Sequence, residues 1–288
     1  MSKQAPVLFV TEYEKRVNQK LQRIGNKLLK TASSKDPKNK DKIKIFVGGS
    51  GEAVERPSRN SDIPYMNSGR TAVELALTAY FAGDPVDWED LESMEVDDIQ
   101  TIADTAALAI GRKIDDVIIS ELNTNAGLVT EGDGSEACSV RMIMNAIEKA
   151  HLADWPEDDG NWYCLLGPNA WGHMMTYKQF ANADYVGDRL PFVNKASIRE
   201  WNGVVFMRQR GLISPAGGEE NGLLYYGPAL AAAAGTAKPD INWMGGQKQL
   251  WSIMDKVRVG AKLSQTAAAL KLHYATDVAY QDVYHTPA

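Results

Sequence analysis

Apolar residues recur along this 288-residue chain with two different periods, and each predicts a different kind of element. Val17, Leu21, Ile24 and Leu28 are spaced four, three and four apart, which puts one thin apolar stripe on a helix over roughly residues 12–31. Lys, Arg, Gln and Asn dominate around that stripe, so the helix needs a surface to pack against. "TASSKDPKNKDK" (31–42) follows as a polar, proline-containing loop. "IKIFVG" reads as a buried strand and runs into Gly48, Gly49 and Gly51, then into the irregular "PSRNSDIPYMNSGR". In "TAVELALTAYF" (71–81) the period becomes two. Val73, Leu75, Leu77, Ala79 and Phe81 face one way, and Glu74, Thr78 and Tyr80 the other, as in a strand. Two strands around such an irregular stretch make a long hairpin-like arm, and loops of that length are usually functional.

Residues 84–98, "DPVDWEDLESMEVDD", carry eight acidic residues and no basic ones. The glycine and ligand spacing of an EF-hand calcium loop are missing. These acids instead complement the positive end of the helix that follows. Ile99, Ala103, Ala106, Ile110, Ile114, Val117 and Leu122 recur at three-to-five-residue intervals and predict a helix over 96–122. At 1.5 Å per residue it is roughly 40 Å long. "NTNAGLVTEGDGSE" ends it, and a second helix at 136–151 buries Val140, Ile143, Met144 and Ile147. Beyond lie strands at 162–167 and 203–209, a helix opening at Pro168, and a short small-residue helix in "GPALAAAAGTA" after Gly227. Two strands occupy "DKVRVGAKLSQTAAALKLHYA" near the end. This is a mixed α+β order without a regular β-α-β repeat.

Composition adds an asymmetry. Hydrophobic residues make up 44% and charged residues 24%, a globular balance. No apolar run approaches the roughly 18–20 residues of a membrane span, and the N-terminus lacks a signal peptide's apolar segment and cleavage site. Only Cys138 and Cys164 occur, each in an apolar segment, which predicts reduced thiols in a cytoplasmic folding environment. The net charge of −6 divides unevenly. Residues 1–45 hold 12 Lys/Arg against 4 Asp/Glu, a local +8, leaving −14 on the rest. A basic arm on an acidic body suits a neighbouring subunit or a polyanion, or else a solvated terminus.

Candidate chemistry is thin. The glycine loop lacks the Gly-Lys-Ser/Thr of a phosphate loop, has Glu52 where phosphate would be repelled, and is followed by prolines where a dinucleotide fold needs a helix. Its glycines are expected to supply positive φ angles and flexibility at the entry to the arm. His151, His173, His273 and His285 are scattered, without metal-ligand spacing, and the cysteines have no neighbouring Cys or His. Cys164 reads as core, "RQR" (208–210) as an exposed rim, and Ser214 lacks a nucleophile elbow. No metal, cofactor or catalytic residue is expected.

The order of features, with "RNSDIP" (Arg59, Asp62, Pro64), "GDPVDWEDLESME", "GRKIDDVIISEL" (Arg112, Asp115, Asp116, Ile118, Ile119) and "VRVGAKL", resembles the major capsid proteins of tailed bacteriophages with the Hong Kong ninety-seven-type fold. The motifs concentrate in residues 43–122. The resemblance implies an N-terminal arm (1–42), an extended loop (43–83), a peripheral domain with a long spine helix (84–134 and 245–288) and an axial domain (135–244). It implies self-assembly into hexamers and pentamers of an icosahedral shell around double-stranded DNA, in the virion, after assembly in the host cytoplasm. Portal, scaffolding and decoration proteins would be further partners, with non-specific DNA contact and no membrane. Arg59, Asp62, Arg70, Val73, Leu75, Leu77, Val17, Leu21, Ile24 and Leu28 are the candidate intersubunit contacts; Val73, Leu75 and Leu77 should bury against another chain or the parent sheet. Some members of the fold join a loop lysine to an asparagine, and residues 45–83 contain no lysine. A cargo-enclosing nanocompartment shell of the same fold is one alternative, and a cytoplasmic nucleotide-binding enzyme using residues 48–51 is another.

Overall fold

A computed structural model describes residues 25–37, 41–56, 58–59, 61–62, 65–66, 68–87, 96–157, 159–177, 198–235, 238–244 and 250–280. Val17, Leu21 and Ile24 lie outside these. The longest periodic pattern forms a 30-residue helix, α1 (Val96–Asn125), about 45 Å long at 1.5 Å per residue. Ala106, Ile110, Ile114, Ile118, Ile119 and Leu122 are buried along it at helical spacing.

Two sheets share the core beside α1. The first contains β1 (Ser33–Ser34), β4 (Thr78–Asp87), β9 (Leu230–Ala234), β10 (Lys238–Met244) and the long β11 (Leu250–Leu263). β11 organises this sheet. It pairs antiparallel with β4 from Leu250↔Asp87 to Val259↔Thr78, with β10 along Leu250–Lys256 and with β9 along Val259–Leu263. The second sheet has the order β12 (Ala269–Ala275), β8 (Glu219–Tyr226), β5 (Trp162–Leu166), β7 (Val204–Arg208), β6 (Ile198–Trp201). Only β5 and β7 are parallel neighbours in it. Period two divides its side chains between two cores. Leu165, Met207, Leu223 and Tyr225 join Ile114, Ile118 and Leu122 of α1, together with Val257, Val259 and Leu263 of β11. Cys164, Leu166, Phe206, Leu224 and Tyr274 face the other way, onto the helices α2 (Val140–Leu152) and α3 (Pro168–Thr176).

Several expectations change for identifiable reasons. The stretch after Gly227 is not a helix: a 3-10 turn (Gly227–Ala229) leads into β9. β9 lies between β1 and β11, with Leu230 and Ala232 on the α1 core, so strand pairing overrides alanine's helix preference. In α2, Met142 is buried and Met144 is 44% exposed, reversing the expected face at those positions. The expected single strand 71–81 is two, β3 (Arg70–Ala76) and β4. They part at Leu77, whose N–H donates to the Asp41 carbonyl at 3.0 Å. The phase flips there: Leu75 is buried, but beyond the break Tyr80 and Ala82 pack inward while Phe81 faces out. β4 also extends through Asp87, absorbing the first acids of the expected lead-in. β6, β8 and β10 were not anticipated. Sheet membership cuts across the limit expected at 244/245, because β9 and β10 pair with β11, while β12 joins the other sheet.

The helix expected over 12–31 fails in its described part. Leu28–Thr31 form only a 3-10 turn, and Asn26 sits at φ 61. The backbone donors go to α1 instead. Asn26 N–H reaches the Gly111 carbonyl at 2.9 Å, and the Lys27 and Leu28 N–H groups both reach Asp115 Oδ1 at 3.1 Å. Gly25 is required here, since a Cβ would overlap the Gly111 backbone. Leu28 is consequently enclosed by its own chain's core and has no surface left for a neighbour. Asp115→Ala should cost roughly 2–4 kcal/mol in denaturant unfolding, because two N–H groups lose their acceptor. Asp115→Asn, which keeps an oxygen there, should cost markedly less.

Glu220 gives the fold a pH dependence. Its carboxylate accepts from Tyr274 O–H at 3.1 Å beside Gly167, where α3 begins. Burial raises its pKa above the ordinary 4.5, outweighing the lowering by the Tyr274 bond. The unfolded chain therefore releases this proton first, so stability falls as pH rises above about 4.5, until the folded group has ionised as well. Glu220→Gln should flatten that part of the stability curve, measured by urea unfolding between about pH 5 and pH 7.

Candidate assembly interface

β2 (Lys42–Gly48) and β3 form an antiparallel ribbon, in register from Lys42↔Ala76 to Gly48↔Arg70, that pairs with no other described strand. Alternation sorts its side chains onto two faces. Ile43 and Ile45 lie opposite Leu75 and Val73, and with Val47 they make one face apolar. The other face carries Lys42, Lys44, Phe46 and Glu74. Glu74 pairs with Lys42 at 3.2 Å and Lys44 at 4.0 Å. These pairs are exposed, so they orient side chains more than they stabilise the ribbon.

The apolar face is only partly satisfied within the chain. Leu75 is 0% exposed, whereas Ile43, Ile45, Val47, Val73 and Leu77 are half-buried. Leu75 therefore buries against its own subunit, one of the two fates expected of it. A cleft of about 490 Å³ lies between Ile45 and Val47 on the arm and Trp155, Tyr226, Pro228 and Ala268 on the body. Elsewhere on the arm, Phe46 is 73% and Tyr65 88% exposed.

The base of the arm is fixed. Arg258 of β11 reaches Asp41 at 3.0 Å, and Asp41 also accepts from Leu77 N–H. Gly260 of β11 lies against the Ala76 carbonyl and Leu77, leaving no room for a Cβ. Lys113 of α1 sits 5.0 Å above the Tyr80 ring just beyond the break. The motif "VRVGAKL" includes Arg258 and Gly260, but nothing in it ties them to the arm, and no pattern marks Asp41, so sequence reasoning missed the anchor.

The tip begins at Gly49, whose N–H donates to the Gly69 carbonyl at 2.6 Å. Gly48, Gly49 and Gly51 have no positive φ, contrary to expectation. Close approach explains two of them. A Cβ on Gly49 would stand 2.7 Å from the Gly69 oxygen, and one on Gly51 would strike the Met66 side chain. Among the described residues between these glycines and β3 none is helical, so aligned amides for a phosphate are lacking there. Further out, Arg56 Nε donates to the Ser61 carbonyl at 3.1 Å, and Ser61 Oγ to the Ser58 carbonyl at 2.8 Å. Arg59, Asp62 and Arg70 are exposed, and none makes an ion pair with a described residue. The structure thus places all three on the arm's surface without bringing them together.

The other candidate chemistry is structural. Cys138 and Cys164 are buried in one core, and burial pushes the Cys138 thiol up to about 12 and Cys164 well above its ordinary value. His151 meets Glu157 at 2.9 Å and His273 meets Glu219 at 3.0 Å, as isolated pairs. Within "RQR", Arg208 and Arg210 are exposed but Gln209 is buried. Among the described residues, no three His, Cys, Asp or Glu side chains gather where they could hold a metal ion. No helix there is long and apolar enough to cross a membrane.

A long helix backed by sheet, a second sheet packed on two helices, and a projecting two-stranded arm define the class of phage capsid folds. The capsid of cyanophage P-SCSP1u has this architecture, at TM-score 0.66 and 12% identity over 94% of each chain. So do the capsid of a native GTA particle, at 0.69 and 14% over 93% of this chain and 96% of that one, and the capsid of Ralstonia phage GP4, at 0.66 and 12% over 93% and 96%. No curated protein matches the sequence. This chain belongs to the phage capsid protein family, whose model matches residues 5–276.

Proposed function

We propose that this chain is a major capsid protein whose copies join as hexamers and pentamers and close into an icosahedral head around double-stranded DNA. The observation that carries this reading is the arm: a ribbon with a half-exposed apolar face, anchored at its base and unpaired along its length. Two strands alone are marginal in water, so that face needs a partner surface. A second copy of the chain supplies it, with Val73 and Leu77 buried and Arg59, Asp62 and Arg70 forming rim ion pairs that set orientation. Residues 43–83 then act as the extended loop, α1 as the spine of the peripheral domain, and the sheet carrying β5 with α2 and α3 as the axial domain. The basic N-terminal segment contacts packaged DNA through phosphates, without base reading. Portal, scaffolding and decoration proteins complete the particle, which is assembled in the host cytoplasm and carries this chain in the virion.

Negative-stain microscopy of the purified, overexpressed chain tests this. Closed shells, tubes, hexamers or pentamers are expected. A stable monomer that binds ATP or NAD would overturn the reading, and shells filled with protein cargo rather than DNA in the native source would favour a nanocompartment.

A further inference from the structure

Beyond β12 the chain turns back across the sheet and reaches α3, where residues 278–280 meet Gly172 and His173. We propose that residues 276–280 form a latch that closes on α3 and opens as a local unit, without unfolding of the sheet beside it.

Two features of α3 have no reason within the helix itself. Gly172 is the fifth of its nine residues, and glycine in a helix interior is less favourable than alanine. His173 next to it is 4% exposed, and its polar ring needs a hydrogen-bond partner there. Residues 278–280 account for both. A carbonyl can only accept, so His173 Nε2 donates to the Val278 carbonyl, at 3.2 Å. The Tyr280 ring is tilted against His173, with the centroids 4.7 Å apart, and occupies the space above Gly172. A Cβ on Gly172 would stand 2.6 Å from that ring. At the other end, Thr276 N–H donates to the Gly218 carbonyl at 2.7 Å, and the Asp277 carboxylate lies beside Gly218. The segment thus bridges the turn before β8 and the middle of α3.

The same contacts make it separable from the strand that precedes it. β12 pairs with β8 along its whole length, Ala269 to Ala275, and Ala275 N–H also donates to the Glu136 carbonyl at 2.8 Å. That ladder ends at Ala275. Tyr280 remains 58% exposed while seated, so lifting it uncovers little apolar surface. A segment held by so few contacts opens at a lower free energy than the strands beside it. Ala170, Trp171 and Met174 keep α3 on the core throughout. Opening therefore bares Gly172 and His173 and loosens α3 on its outer side only.

Hydrogen exchange read by mass spectrometry on the full-length chain tests the latch. Peptides over 276–280 should exchange at least about tenfold faster than peptides over β12. Gly172→Ala gives the decisive sign. In an ordinary helix interior it stabilises. Here its methyl group displaces Tyr280, and exchange over 276–280 should rise about tenfold while α1 and β12 keep their rates. Tyr280→Ala, at a half-exposed position, is the second variant should the first fail to fold by circular dichroism. It should speed exchange in α3 and leave α1 unchanged. Slowed or unaltered exchange over 276–280 in Gly172→Ala would overturn the proposal. So would unaltered α3 exchange in Tyr280→Ala, or exchange of 276–280 and β12 at one common rate.

Discussion

A chain in which Asn-Gly replaces residues 49–69 should fold to a subunit of unchanged thermal stability and form no shells. The arm's tip contributes nothing visible to the subunit's own core. Among the described residues, the tip's hydrogen bonds stay within the tip: Gly49 to Gly69, Arg56 to Arg59 and Ser61, and Ser61 with Ser58. The ribbon below it ends at Gly48↔Arg70, a register that a two-residue turn can close. What the deletion removes is exposed reach, including Val54, Tyr65 and Met66, together with Arg59 and Asp62. Differential scanning calorimetry and sedimentation of the same sample read the two halves of the result. Loss of the folding transition would show that the segment is core.

Gly260→Val should have the next largest effect, through the base of the arm. The glycine sits in β11, the strand on which the first sheet is built, and a Cβ there would overlap the Ala76 carbonyl oxygen and press on Leu77. Backbone cannot swing aside as a flexible side chain can. The substitution should cost about 1–3 kcal/mol, as overpacking does elsewhere. It should also tilt the arm away from the Asp41–Arg258 pair. Shell yield should therefore fall further than the stability loss explains. Arg258→Ala, which removes an exposed pair and leaves the glycine seat intact, should change stability by less than about 1 kcal/mol. If Gly260→Val assembled normally, the seat would not set the arm's angle.

The legible parts of this fold were those governed by a single local rule. α1 declared itself because Ile110, Ile114, Val117 and Leu122 recur at helical spacing, although Ile118 rather than Val117 is the fully buried one. β2 showed as an apolar run that reads as buried, whereas its alternate residues lie exposed, and β3 showed through period two over residues 71–75. The arm was readable as an arm because two strands flank a stretch too irregular to be either element. Where tertiary context decides, the sequence misled. Ala231–Ala234 carry the strongest local helix preference in the chain, yet the edge of β11 claims them as β9. Leu28 fits a helical stripe, but Asp115, distant in sequence, captures the N–H groups that such a helix would need. The slip at Leu77 depends on one hydrogen bond to Asp41, and no pattern announces it. β8 escaped notice because Asn221 and Gly222 interrupt a run buried on both faces.

The candidate site divides along the same line. Arg59, Asp62 and Arg70 were readable as exposed arm residues, since charged residues beside prolines and glycines have no core to enter. Gly49 was noticed for the wrong reason: it permits a close crossing to Gly69 and needs no left-handed backbone. The anchor formed by Asp41, Arg258 and Gly260 joins residues more than two hundred positions apart, beyond the range of any local signal.

On the proposed reading, a neighbouring copy completes the arm's apolar face. Electron cryo-microscopy of the assembled particle tests it most directly. Ile45, Val47 and Val73 of each subunit should be covered by an adjacent subunit's surface. An arm folded down onto its own Trp155 and Tyr226, with no neighbour against Ile45 or Val73, would contradict it.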